Sequence, residues 1–130
     1  MERLRAATEV YALHHATHPR EALVVNQDSS SLDDPERGVA QQIRRDHERA
    51  FRQIIIDGQE AGVFVVETPK LASFAIREMC VSIARWFHDG GPLTAQEVAR
   101  QYSGYAISLV GAKPASPTRR KRTQKSAVAP

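Results

Sequence analysis

Apolar residues in this chain recur at helical rather than strand spacing, and breaker residues divide them into segments. From Glu2 to His18, at 100° per residue, Leu4, Ala7, Tyr11, His14, His15 and His18 fall within one arc of roughly 100°. His18-Pro19 ends that segment, because a residue before proline is pushed out of the α region. Arg20 to Asp28 predicts a short helix running into the polar Gln27–Ser31 stretch, although the β-branched pair Val24-Val25 argues against it. The next start is Asp34 as N-cap, with Pro35 at the first helical position and Glu36 near the positive helix end. The helix that follows carries Val39, Ile43, His47, Ala50, Phe51, Ile54, Ile55 and Gly58 on one side. It should stop near Gly62, which can take the left-handed conformation. Val63 to Val66 is strand-like by propensity, but four such residues without a partner strand predict an extended connector.

Thr68-Pro69 repeats the cap-and-proline start. Leu71, Ala72, Ala75, Ile76, Met79, Cys80, Ile83, Trp86 and Phe87 then occupy about half the helical circumference. One packed layer needs a stripe of only about 100°. The excess predicts that this helix meets both its own core and a second surface. Gly90-Gly91-Pro92 ends that helix and turns the chain, and Thr94 to Glu97 has the spacing of a capping box. Val98, Tyr102, Tyr105, Ala106, Leu109 and Val110 form the stripe of the last helix, with Gly111 as its C-cap. The expected fold class is all-α, an antiparallel helical bundle over residues 1–111.

Composition changes this picture in two places. Residues 1–111 hold all 15 acidic residues against 12 Lys/Arg, so the body is mildly acidic. Residues 112–130 hold six Lys/Arg, no acid and nothing to bury, which predicts a disordered basic tail. That tail reads either as a solubilising extension or as a salt-sensitive phosphate contact, and it has no aromatic residue to stack on bases. The single cysteine, Cys80, excludes an internal disulfide and fits a reducing cytosol. No apolar run approaches the ~20 residues of a membrane span, and the N-terminus lacks a signal peptide's apolar region. A cytoplasmic location without membrane attachment is expected.

Candidate chemistry is sparse. His14 and His18 are four apart on a helix, a spacing that suits a transition metal, and His15 lies beside them. His47 sits in the apolar face of the long helix. Three readings stay open: imidazoles favouring a helix C-terminus, polar groups lining a ligand cavity, or a metal site. No carboxylate or cysteine follows at a ligand spacing. Cys80 lies in the most apolar helix, where a buried structural thiol is expected. Ser29-Ser30-Ser31 near Asp33 and Asp34 is cap and turn chemistry. Gly90-Gly91-Pro92 has no following lysine to make a phosphate loop. The chain is not expected to be an enzyme and needs no cofactor.

Met79 to Gly111, MCVSIARWFHDGGPLTAQEVARQYSGYAISLVG, resembles the end of a TetR-family transcriptional regulator. The opening ERLRAATEVYALHHATHPREAL resembles the first effector-domain helix of that family and its His-Pro break. Arg45 to Ile55 and Gly58 to Phe64 resemble its long central helix, which commonly closes on Gly-Val-Phe. The resemblance spans residues 1–111 and covers only the family's C-terminal half. The family's DNA-reading helix-turn-helix has no match here, so contact with DNA is expected only through a domain absent from this sequence.

The resemblance implies an effector-sensing and dimerisation domain of a repressor. Its cavity would be lined by Tyr11, His14, His15 and His18, by Ile43, His47 and Phe51, and by Ile76, Met79 and Ile83. Aliphatic walls with several histidines imply a mostly hydrophobic small-molecule effector with a polar or anionic head, such as an acyl-CoA, fatty acid or steroid-like compound. Trp86, Phe87, Val98, Tyr102, Tyr105 and Leu109 would meet a symmetry mate in a homodimer. Two further readings are a sensor-only protein that heterodimerises with a full-length regulator and a helical metal-binding protein using the histidine cluster.

Overall fold

The computed structural model describes residues 1–26 and 34–111. Along them run five helices: α1 (Glu2–Thr17), α2 (Pro19–Asn26), α3 (Asp34–Glu60), α4 (Pro69–Trp86) and α5 (Ala95–Leu109). No strand occurs among the described residues, and the fold is all-α. The expected Gln27–Ser31 patch and the basic tail both lie wholly outside the described residues.

Local chemistry sets the boundaries. His18 leaves the helix at φ −131° and ψ 57°, as its following proline requires. The chain turns back into helix at once. Proline tolerates the first helical position because its missing N–H would be unpaired there, so α2 begins at Pro19, one residue before the expected start. Gly62, at φ +82°, closes α3. Its N–H reaches Gln59 O at 3.0 Å, and Val63 N–H reaches Gly58 O at 2.9 Å. This turn folds the Phe64 ring onto Gly58, where any Cβ would collide with it. Val63 to Val66 is the extended connector, and Val65 N–H donates to Val110 O at 2.8 Å.

The starts of α4 and α5 differ. Thr68 makes no side-chain cap bond, so Pro69 alone shapes the entry to α4. Thr94 and Glu97 form the complete capping box, with bonds of 3.1 and 2.8 Å. Val110, rather than Gly111, is the C-cap of α5, and Gly111 follows it in the left-handed region at φ +63°.

α1 is the hub. It packs most extensively on α5, then on α4, and only briefly on α2 and α3, which lean on α4 instead. α4 and α5 barely touch one another. The α1–α5 seam is built from small residues. Ser103 Oγ donates to Arg100 O at 2.7 Å and lies 3.4 Å from Glu9 Oε2 across the seam. Ala99 and Ala106 share the buried face with Ser103, and Ala12 and Ala16 share that of Glu9. Buried Thr8 is satisfied within its own helix by Leu4 O at 2.8 Å. The remaining core is aliphatic and aromatic: Leu4, Phe51, Ile55, Phe64, Ile76, Val81, Ile83, Val98 and Val110.

Candidate functional site

Where small residues bring α5 onto α1, large ones hold α3 away from it. Between α1, α2 and α3 lies a cavity of about 810 Å³. From α1 it takes Ala6, Ala7, Val10, Tyr11, His14 and His15; from α2, Glu21 and Ala22; from α3, Ile43, His47 and Phe51. Its size and largely apolar wall with a few polar groups are those of a small-molecule site.

Tyr11 organises the inner wall. Its ring meets His15, His47 and Phe51 edge-on, with centroids at 4.5, 4.9 and 5.3 Å. His15 Nδ1 lies 2.8 Å from Tyr11 O. A carbonyl only accepts, so Nδ1 carries the proton and Nε2 the lone pair of the neutral ring. Burial lowers the pKa of His15, and burial followed by the Arg77 charge lowers that of His47. Both rings are therefore held neutral at neutral pH. Burial pushes the Tyr11 phenol up to about 12 against the opposing pull of the Arg77 guanidinium. Tyr11 Oη, His47 Nδ1 and Arg77 Nε are closed to solvent, and none has a hydrogen-bond partner among the described residues.

The expected effector residues divide. Tyr11, His14, His15, Ile43, His47 and Phe51 come together around the cavity. His18 does not reach it; its ring stacks on exposed His14 at 5.1 Å and shares a 2.9 Å hydrogen bond with Thr17 Oγ1. Ile76 and Ile83 are wholly buried in the core, and Met79 packs half-buried against it. α4 does not wall the cavity, because Tyr11 of α1 stands between them.

The subunit-facing expectations divide as well. Trp86 and Tyr105 are 48% and 53% exposed, and Leu109 is exposed beside them. Phe87 and Tyr102 are half-buried against the core. Val98 is buried in the chain's own core and is no surface residue. The rings from Trp86 through Tyr102 to Tyr105 form a ridge, with centroids 6.5 and 5.7 Å apart.

Sequence reading missed Glu21 and Ala22. The available signal was Pro19, which folds α2 back over the histidine-bearing end of α1. It also missed the burial of Arg77, behind the cavity on α4. Ser73, Cys80, Val81 and Ala84 surround that position at helical spacing and are all inward-facing, so the lone cation among them was the clue.

Other chemistries find little footing. Cys80 is fully buried and its thiol is pushed up to about 12, so it supplies no thiolate at neutral pH. Among the described residues, no group of three or more His, Cys, Asp or Glu is placed to hold a metal ion. No helix of the described residues is long and apolar enough to cross a membrane.

Comparisons with known proteins point one way. A family model described as tetracyclin repressor-like, C-terminal domain, matches residues 1–110. No curated protein matches the chain. Among solved structures, the chain is similar to a bacterial regulatory protein in the TetR family from Rhodococcus RHA1, with TM-score 0.77 and 27% identity. The match covers 86% of this chain and 59% of that one, so the chain spans about three-fifths of that regulator's length. With nearly all its described residues inside the family model, the chain belongs to the TetR family, to which it corresponds as a tetracyclin repressor-like C-terminal domain.

Proposed function

We propose that this chain is the effector-sensing and dimerising part of a cytoplasmic transcriptional repressor, and that residues 1–111 form that unit. The observation that carries the reading is the apolar-walled cavity between α1, α2 and α3, inside a domain of a regulator family. A mostly hydrophobic small molecule bound there biases the relative arrangement of two subunits. Such coupling requires the ligand to bind one arrangement better than the other. Release from DNA follows when the favoured arrangement no longer fits the operator.

The dimer surface in this reading is the outer face of α4 and α5, with the exposed Trp86–Tyr105 ridge at its centre and exposed Leu109 alongside. Aromatic residues are enriched at such interfaces, and a two-fold contact uses the same patch on both subunits. Native mass spectrometry of the purified chain tests both halves. A dimer carrying an organic adduct, reduced to monomer by Trp86→Glu, supports the reading. A monomer that takes up no organic molecule overturns it.

A further inference from the structure

The charge along the cavity wall is uneven. Among the described residues that line it there is no lysine or arginine, and the one carboxylate is Glu21 of α2. Glu21 is exposed while its neighbour Ala22 is buried, so the carboxylate stands at the mouth of the cavity. It forms no ion pair among the described residues. Deeper in, Ala7 and Ile43 lie with the rings of Tyr11, His47 and Phe51, and both His15 and His47 are held neutral, by burial above all.

Arg77 sets the other end of this gradient. It is the one buried arginine or lysine among the described residues, and it lines the outer groove between α3 and α4 together with Glu48 and Glu78. Tyr11 stands between it and the cavity, and its charge is felt at Tyr11 and His47, second to their burial. A cationic head is therefore disfavoured against the inner rings and favoured at the mouth, beside Glu21. An anionic head meets repulsion at the mouth. Further in it would shed its water against neutral rings, with no cation on the described wall to receive it.

We infer that the cavity takes an amphiphilic organic cation, a protonated amine, with its ammonium at the Glu21 carboxylate and its apolar body lying inward against Ala7, Ile43 and Phe51. This rests on the cavity being the effector site, and it replaces the anionic head expected from the sequence. The chain of such a ligand needs no hydrogen bond from the wall, and its charge stays at the mouth, where water still reaches it. α2 packs on α4 more than on α1 or α3. A ligand drawn to Glu21 thus acts on a helix seated against α4, which carries the proposed dimer surface.

The experiment uses N-phenylnaphthylamine, a neutral apolar dye that brightens when it leaves water, displaced from the full chain at neutral pH by decylammonium, decanol or decanoate. The competitors differ only in the head. In about 0.15 M salt, which screens charges beyond about 8 Å, decylammonium should compete best, decanol next and decanoate worst. An exposed ion pair is worth up to about fivefold, and repulsion costs the acid a similar factor, so cation and anion should differ about tenfold. Decylammonium no stronger than decanol, or decanoate strongest of the three, overturns the inference and leaves the cavity reading intact. Absence of dye binding, with no rise in the thermal midpoint from any of the three, overturns both.

Two variants locate the charge. Glu21→Gln should remove the lead of decylammonium over decanol, with circular dichroism confirming the fold. Glu60→Gln, an exposed acid at the far end of α3 that does not line the cavity, should leave that lead unchanged. A lead that survives Glu21→Gln, or that falls equally in both variants, would trace the preference to the acidic body as a whole and overturn the placement at Glu21.

Discussion

The two long sides of α1 are packed to opposite ends. Toward α5 it presents Ala12 and Ala16 to Ala99, Ser103 and Ala106, and the helices close on each other with every hydroxyl of the seam bonded. Toward α3 it presents Tyr11 and His15 to His47 and Phe51, and the helices stay apart around about 810 Å³. Small residues give contact without choice, because only one separation fits them. Large rings meeting edge-on can re-pack, and they leave polar atoms unmatched. The first side fixes the fold; the second leaves space.

The sharpest way to break that contrast is to put the same bulk on each side. Ala106→Leu, in the closed seam, should cost about 3 kcal/mol by forcing α5 off α1, read as a fall in the denaturant midpoint. Ala7→Leu faces the cavity and should change stability by less than about 1 kcal/mol. Equal costs for the two would remove the distinction. Gly58→Ala comes next. Helix propensity favours alanine there by about 1 kcal/mol, but the Phe64 ring occupies the space. A net loss of about 1–2 kcal/mol in thermal or chemical unfolding is expected, the overpacking outweighing the propensity.

Those predictions also mark what could be read from the sequence. Breakers and caps are local, so Pro19, Gly62, Pro69 and the Thr94–Glu97 box placed their helix ends to within a residue or two, whereas α4 stops at Trp86, four residues before the expected Gly90 breaker. Burial on α1 is not local. The arc from Leu4 to His18 predicted one inward face, yet the buried set also includes Thr8, Ala12 and Ala16, while His14 and His18 are exposed. Alanine and threonine carry almost no hydropathy signal, and a helix with neighbours on several sides has no single apolar stripe. The same blindness put Ile76 and Ile83 on the cavity. A wide arc on α4 tells that two surfaces are covered and gives no sign of which neighbour covers which. Val39 likewise sits on the apolar side of α3 by periodicity but is exposed, while its neighbour Ala40 is buried.

Mild acid should act first on the cavity side. His15 and His47 both have folded pKa values below the ordinary 6.5 because burial penalises the imidazolium. Below 6.5 the unfolded chain therefore binds protons that the folded one refuses. The stabilisation is complete above that pH and is lost as pH falls through the lowered folded values. The unfolding midpoint should drop between neutral pH and mild acid. Replacing His47 with Leu should flatten the slope without removing it, since His15 still titrates. An acid dependence unaffected by His47→Leu would place the protons elsewhere.

The smallest effect has the most telling sign. Tyr11→Phe removes one oxygen from a residue that is 6% exposed, and that oxygen has no hydrogen-bond partner among the described residues. The three ring contacts with His15, His47 and Phe51 survive the change. Deleting a bonded buried hydroxyl costs about 1 kcal/mol, whereas deleting an unbonded one removes a desolvation penalty of similar size. The variant should therefore be as stable as the parent, or more stable by up to about 1 kcal/mol, in chemical denaturation. A loss of 1 kcal/mol or more would mean that the hydroxyl has a partner in the folded chain, most directly the Arg77 guanidinium beside it. Equal or raised stability would show a polar group kept at a cost to the fold.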